Sequence, residues 1–172
     1  MKIEITANGK TIQTEINEEQ AKILGLTIDK PKTGYERVEK GSTYFFNDGL
    51  SDMNRTKEEK DMEDQDYYNG GNYYNNETIA KNNARADRLL CCLRQWQALN
   101  DRAINWKNKN IRKYTIRYDY AMNMFNVIPN LCERCLNDVY FTTRETAQRA
   151  INVFKVELEW YFTQYQQRLD EE

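Results

Sequence analysis

Four cysteines are the soft metal ligands of this chain, and no histidine accompanies them. Cys132-Glu133-Arg134-Cys135 is a Cys-x-x-Cys pair, and Cys91-Cys92 supplies two further sulfurs. Four thiolates could hold zinc in a tetrahedron. Adjacent cysteines on a helix, however, diverge by about 100° and cannot both face one ion. Cys91 falls on the polar side of its expected helix and Cys92 on the flank of the apolar stripe. Unlinked thiols are therefore the expectation, with no metal and no cofactor. A thioredoxin-type pair needs the motif at a helix N-terminus after a strand, whereas Cys132 and Cys135 fall in a turn before one.

The missing histidines remove Ser-His-Asp and Cys-His catalysis, His-ligated metals and most proton shuttling near neutral pH. Asp52-x-Asn54-x-Thr56, with Glu63 at the twelfth position, echoes a calcium loop. The sixth position, which needs glycine for the sharp turn, is Lys57, and Arg55 adds a cation among the ligands. Asn69-Gly70-Gly71 lacks the Lys-Ser/Thr that a phosphate loop requires. Carboxylates are plentiful, but none belongs to a recognisable acid/base pair. The expectation is a protein that is not an enzyme.

Two charged segments remain as binding candidates. The first is acidic: Glu58, Glu59, Asp61, Glu63, Asp64 and Asp66 stand against Lys57 and Lys60. Such a run is a solvated face or, alternatively, a contact for a basic surface on a partner or a mimic of phosphate charge. The second is basic: Lys107, Lys109, Arg112, Lys113 and Arg117 occur with no intervening acid, next to Trp106 and interleaved with Tyr114 and Tyr118. Cations alternating with rings suit a surface that pairs phosphates with base stacking. The alternative is a soluble loop whose tyrosines belong to the core. Trp106 and Trp160 are also candidates for an oligomer surface.

The elements that must position these segments follow from periodicity. Residues 2–6 and 11–16 alternate with period two around Asn8-Gly9, the preferred pair for a tight hairpin turn. Asn17 and Gln20 form a capping box for a short helix that Gly25 ends. Asp29–Gly34 is a polar linker. Tyr35–Val38 and Thr43–Asn47 are expected to be extended, with a turn at Asp48-Gly49, and 50–68 is a solvated loop or a short exposed helix. After Asn75 or Asn76 as N-cap, Ile79, Ala86, Leu89, Leu90, Leu93 and Trp96 make one helical stripe that runs to about Asn100. In 107–120, Tyr114, Ile116, Tyr118 and Tyr120 alternate with Thr115, Arg117 and Asp119, which predicts a half-buried strand. Phe125–Ile128 pairs with it and Pro129 stops it. Val139–Phe141 is a third strand. Thr142 and Glu145 predict a second capping box, and Ala147, Ile151, Phe154, Leu158, Tyr161 and Tyr165 a second helix to about Gln167.

The layout is thus used twice: Tyr73-Tyr74-Asn75-Asn76 and Tyr140-Phe141-Thr142-Thr143 each open a long helix. The expected fold is α+β, with antiparallel sheets, two long amphipathic helices and duplicated β-rich-then-helix lobes. The expected organisation is an N-terminal ββα unit over 1–28, a first lobe over 35–103 and a second over 107–168.

At 172 residues and 40% apolar the chain is lean in aliphatics, but twelve Tyr, six Phe and three Trp can build a core from few positions. A net charge of −2 gives no global case for nucleic acid or an anionic membrane. No apolar run is long enough to span a bilayer, and the N-terminus lacks a signal-peptide core. A cytoplasmic protein with reduced thiols is expected.

Tyr35-Glu-Arg-Val-Glu-Lys-Gly41, Tyr44-Phe-Phe-Asn47 and Gly71-Asn-Tyr-Tyr74, followed by Tyr140-Phe-Thr-Thr-Arg-Glu145 and Glu159-Trp-Tyr-Phe162, resemble a module of small accessory proteins of Firmicute phages and prophages. The resemblance covers residues 35–165 and carries over no functional residue. It implies a mobile-element protein in the cytoplasm of a bacterial host. Histidine-free, non-enzymatic proteins of that origin include inhibitors of host defence, among them anti-CRISPR proteins that bind an effector nuclease. The expected function is inhibition of such a host protein. The alternative is a small nucleic-acid-binding accessory protein using the 107–117 segment.

Overall fold

Antiparallel hairpins and capped helices alternate through the chain, giving an α+β protein. The computed structural model describes residues 2–7, 10–25, 32–49, 53–130 and 133–171. The Asn8-Gly9 turn, most of the expected linker, Asp52 and Cys132 lie outside these. The chain divides into two units, residues 1–32 and 33–172.

In the first unit, β1 (Lys2–Ala7) pairs antiparallel with β2 (Lys10–Glu15), Ile5 opposite Ile12. Helix α1 (Glu18–Ile23) follows. Its capping box forms as the spacing requires: the Gln20 N–H donates to Asn17 Oδ1 and the Asn17 N–H to Gln20 Oε1, both at 2.9 Å. Gly25 ends the helix at φ +67°, a left-handed conformation that costs glycine nothing. Every residue of β2 is exposed, and Ala21 is fully buried.

In the second unit, β3 (Thr43–Asn47) pairs antiparallel with β4 (Met53–Lys57), and α2 (Met62–Asn69) follows. The 53–68 part of the 50–68 stretch is therefore more ordered than its polar composition suggests. Phe45 of β3 then exchanges both backbone hydrogen bonds with Tyr74, at 2.8 and 2.9 Å, just before α3 (Glu77–Asn100) begins. The layout recurs with β5 (Lys113–Asp119) and β6 (Met124–Asn130): Tyr114 of β5 exchanges both bonds with Phe141, just before α4 (Arg144–Val153) and α5 (Lys155–Thr163). The duplicated strand-to-helix unit is thus a hairpin whose inner strand also holds the residue that leads into the helix. Val139–Phe141 contributes this single bridge rather than a full strand.

Three sequence expectations shift. Pro129 does not stop β6; it lies within the strand, opposite Tyr114. Tyr114 turns its N–H and C=O to Phe141, so no donor is required of the residue on its other side. The N-cap of α4 is Thr143, whose hydroxyl accepts from the Thr146 N–H at 3.1 Å, not Thr142. Thr142 is occupied elsewhere: its N–H donates to Asp101 Oδ2 at 2.6 Å and its hydroxyl to Asp101 Oδ1, tying the second helix to the end of the first. The second helix also kinks at Phe154, where φ −104° and ψ +19° separate α4 from α5 while hydrogen bonds to Ala150 and from Leu158 continue across.

Helix α3 serves both repeats. Ile79 and Ala80, near its N-terminus, pack with Tyr74 against Tyr35, Phe45 and Met53. Leu89 and Leu93, further along, join Val127, Phe141, Ala147, Ala150, Ile151 and Leu158 in a second cluster. Ala80, Asn83 and Ala84 are buried beside the predicted Ala86, so the stripe is wider than predicted. No helix among the described residues is long and apolar enough to cross a membrane.

Candidate interaction surfaces

The acidic segment is built around two carboxylates that point inward. Glu58, just after β4, is fully buried, and Asp64 in the first turn of α2 is 3% exposed. Neither can be a surface contact, which corrects the expectation for these two positions. Arg37 grips Glu58 with Nη2 to Oε1 at 2.8 Å and Nε to Oε2 at 3.2 Å. The Tyr73 hydroxyl donates to Glu58 Oε2 at 2.7 Å, and the Lys60 N–H to Oε1 at 3.0 Å. Asp64 accepts from the Tyr44 hydroxyl at 2.8 Å and from the Glu59 N–H at 2.7 Å. It also completes a capping box with Asp61, the N-cap of α2. The rings of Tyr44 and Tyr73 stack at 4.1 Å, so the two carboxylates share one aromatic platform.

The electrostatics follow from these partners. The Arg37 guanidinium holds the Glu58 carboxyl below its ordinary range against the opposing effect of burial, and the Tyr73 hydroxyl adds to it. Burial pushes Asp64 up, but the Tyr44 hydroxyl and backbone N–H groups outweigh it and the carboxyl ends below its ordinary value. Burial pushes Tyr73 up to about 12; the Val38 N–H pulls against it and the Glu58 charge adds to it. Both carboxylates are ionised and satisfied, an arrangement for holding structure rather than moving protons.

What this network presents outward is Glu59, Glu63 and Asp66, all exposed. Glu63 and Asp66 are three apart on α2 and share a face. They border a groove of about 550 Å³ that Met62, Tyr67, Gly70 and Asn72 also line. Met62 itself is 79% exposed. Glu59 lies within 3.7 Å of Lys40, an exposed pair of little energetic weight.

The basic segment divides in the same way. Its strand is β5 alone; residues 107–112 are turns held by Asn105 Oδ1, which accepts from the Lys107 and Asn108 N–H groups. Lys113 is 2% exposed and donates Nζ to the Asn108 carbonyl at 2.8 Å. Arg117 forms a two-pronged pair with Asp138, at 2.8 and 2.6 Å, and that pairing raises the guanidinium pKa further. These two cations are structural, because each is already committed to a neighbour that fixes β5. Trp106 is half-buried, edge-on to Tyr140 at 4.9 Å, with Arg134 5.1 Å above its ring. Lys107, Lys109 and Arg112 remain exposed, and none has an ion-pair partner among the described residues. Both faces of β5 are covered, so the predicted one-sided burial is not seen, and Tyr120 is 69% exposed beyond its end.

Sequence reasoning missed several participants. Arg37 and Tyr44 reach the acidic segment from more than a dozen residues away, and no local signal marks them. Arg134 lies inside the Cys-x-x-Cys motif, and nothing in that motif marks its approach to the Trp106 ring. The second repeat contains a counterpart of the Arg37–Glu58–Tyr73 network: the Tyr140 hydroxyl donates to Asp138, which Arg117 grips, and accepts from the Cys135 N–H at 2.8 Å. Tyr73 likewise accepts from the Val38 N–H at 3.1 Å. Each repeat therefore anchors its pre-helix tyrosine with a carboxylate, an arginine and a backbone donor. Trp160, a candidate for an oligomer surface, is instead 8% exposed, with the Arg85 guanidinium 4.0 Å over its ring.

Cys91 and Cys135 are exposed free thiols and Cys92 is half-buried. Among the described residues no cluster of three or more Cys, Asp or Glu is arranged to hold a metal ion. Asn54 and Thr56, positions of the calcium-loop pattern, lie in the extended strand β4, so they cannot curl around an ion. No protein-family model, curated protein or solved structure matches this chain.

Proposed function

We propose that this chain is a non-enzymatic protein of a phage or related mobile element that binds and inhibits a host defence protein, a CRISPR-associated effector nuclease, in the cytoplasm of a bacterial host. The observation that carries the reading is the acidic face of α2. Two buried, fully satisfied carboxylates fix the start of the helix, and Glu59, Glu63 and Asp66 project from it beside a groove. A nuclease presents cations to bind phosphate, and pre-organised carboxylates can meet those cations without paying to order themselves. The likeness of residues 35–165 to the phage module supplies the biological context. The test is retention of a nuclease from host lysate by the immobilised protein, together with loss of its cleavage activity. Glu63→Lys combined with Asp66→Lys should abolish both. A nuclease that cleaves at full rate in the presence of excess protein rejects the reading.

A second reading rests on its own observation, the exposed Lys107, Lys109 and Arg112 with Arg134 over Trp106. In this reading the chain is a nucleic-acid-binding accessory protein whose cations neutralise three or four phosphates. Affinity would then fall with salt on a log–log slope of about −3, and Lys109→Glu with Arg112→Glu would eliminate binding. No detectable DNA or RNA binding at low salt rejects it.

A further inference from the structure

A cleft of about 470 Å³ opens in the 33–172 unit among α3, α5 and β5, a volume typical of small-molecule sites. Leu89, Leu93 and Leu158 line it, all nearly inaccessible to solvent. Tyr161, Phe162 and Tyr165 line it too, as one connected aromatic surface: Tyr161 stacks on Tyr165 at 5.1 Å and meets Phe162 edge-on at 5.2 Å.

The charges in the lining are unbalanced. Arg117 and Asp138 cancel each other at 2.6 Å. Asp87 makes no hydrogen bond or ion pair among the described residues. Asp87 stands exposed at the mouth of the cleft; the protein packed around it pushes its carboxyl up, and Arg94 pulls it back. The carboxylate is near enough to the aromatic surface that, after burial, it contributes to raising the phenols of Tyr161 and Tyr165. Aromatic faces carry negative potential and attract cations, most strongly where water is thinned out. An anion would meet one uncompensated carboxylate and an arginine already spoken for.

We propose that this cleft binds an organic cation: an ammonium or guanidinium group on an apolar body, its charge against Asp87 and its body on the leucines beside Tyr161 and Phe162. The cleft shares the paired Arg117 with the basic segment but none of the exposed Lys107, Lys109 and Arg112, and it does not depend on either reading of the two faces. One unpaired carboxylate and a ring surface select the charge, and the leucine floor selects a body of roughly one aromatic ring or a short aliphatic chain.

Calorimetric titration of the full chain tests this with three probes at low salt: phenethylammonium, the amide of N-acetylarginine, and neutral 2-phenylethanol. Saturable 1:1 binding of a cation, with 2-phenylethanol at least about tenfold weaker, is expected. Asp87→Asn should weaken the cations about tenfold and leave 2-phenylethanol unchanged, while Glu63→Gln leaves all three unchanged. If Asp87→Asn does not fold, Tyr161→Leu takes its place, with the same loss for the cations. Tighter phenethylammonium assigns the site to a free small molecule; a tighter arginine derivative assigns it to a basic side chain of another protein. The proposal is overturned if neither cation saturates below about 10 mM, if 2-phenylethanol binds equally well, or if the folded variants bind cations as the parent does.

Discussion

Tyr73→Phe isolates one hydroxyl in the buried carboxylate network. The side chain is 2% exposed and Glu58 is completely buried, so water cannot replace what is lost. Phenylalanine keeps the ring stacked on Tyr44 but deletes the 2.7 Å bond to Glu58 Oε2. It also leaves the Val38 N–H, which donated to the hydroxyl at 3.1 Å, without that acceptor. A hydrogen bond to an ionised group is worth about 1.5–3 kcal/mol, and an orphaned donor that is only partly buried adds roughly 1 kcal/mol. The expected cost is about 2.5–4 kcal/mol. Urea unfolding followed by tryptophan fluorescence reads it directly, because Trp96, Trp106 and Trp160 all lie in the 33–172 unit. With an m-value of about 2 kcal/mol/M the midpoint should fall by about 1–2 M. The pH dependence supplies a second readout. Glu58 titrates below its ordinary value in the folded protein, first through Arg37 and then through Tyr73. A depressed carboxyl contributes stability above its unfolded pKa, and that contribution disappears as pH falls through the folded value. The deficit of Tyr73→Phe should accordingly be largest at neutral pH and shrink below about pH 4.5. A deficit under about 0.5 kcal/mol at neutral pH, the size of an ordinary surface substitution, or one that stays constant into acid, refutes the reasoning.

Asn76→Ala removes the side chain that accepts from the Ile79 N–H at 3.0 Å, so α3 should lose about 1 kcal/mol, measured as a lower urea midpoint. Gly34→Ala places a Cβ at 3.1 Å from Ile79 Cγ1 and asks alanine to adopt φ +97°. It should cost at least about 1–2 kcal/mol, and a variant as stable as the parent would show that the 34–35 backbone adjusts freely. Acid should unfold the second unit in a defined window. Burial pushes Glu36 up, but the Thr33 N–H and hydroxyl and the Asn75 amide outweigh it and hold the carboxyl at about 2, while Glu58 and Asp64 are lowered as well. Stability is then present above about pH 4.5 and lost as pH falls from there towards about 2, which circular dichroism against pH will follow.

The sequence announces what depends on neighbours a few residues away. The Asn17–Gln20 box, the α3 and α4–α5 stripes and the twofold use of an aromatic pair before a helix are all local patterns, and all are present. It is silent where distant residues decide. Glu58 and Glu59 are indistinguishable in sequence, yet Arg37 and Tyr73 claim the first and solvent the second. Thr142 and Thr143 are equal candidates for a cap until Asp101 takes the former. Lys113 reads as a surface cation even though its partner is only five residues back, because side-chain type does not show that the 108–112 turn aims the Asn108 carbonyl at it. Long-range polar pairing redistributes the charged segments between scaffold and surface, so each candidate site shrinks to about half of the residues that suggested it.

Pro129 has an effect beyond its own strand. Because Tyr114 faces away from it, the proline nitrogen points to the open side of β6, where a neighbouring chain would otherwise find a regular row of donors. That row is interrupted at Pro129, and the corresponding outer strand of the first repeat, β4, carries exposed Arg55 and Lys57. A two-stranded sheet of aromatic residues is an inviting template for intermolecular strand addition and fibril growth. Here the missing donor on one hairpin and the like charges on the other oppose such addition at both outer strands.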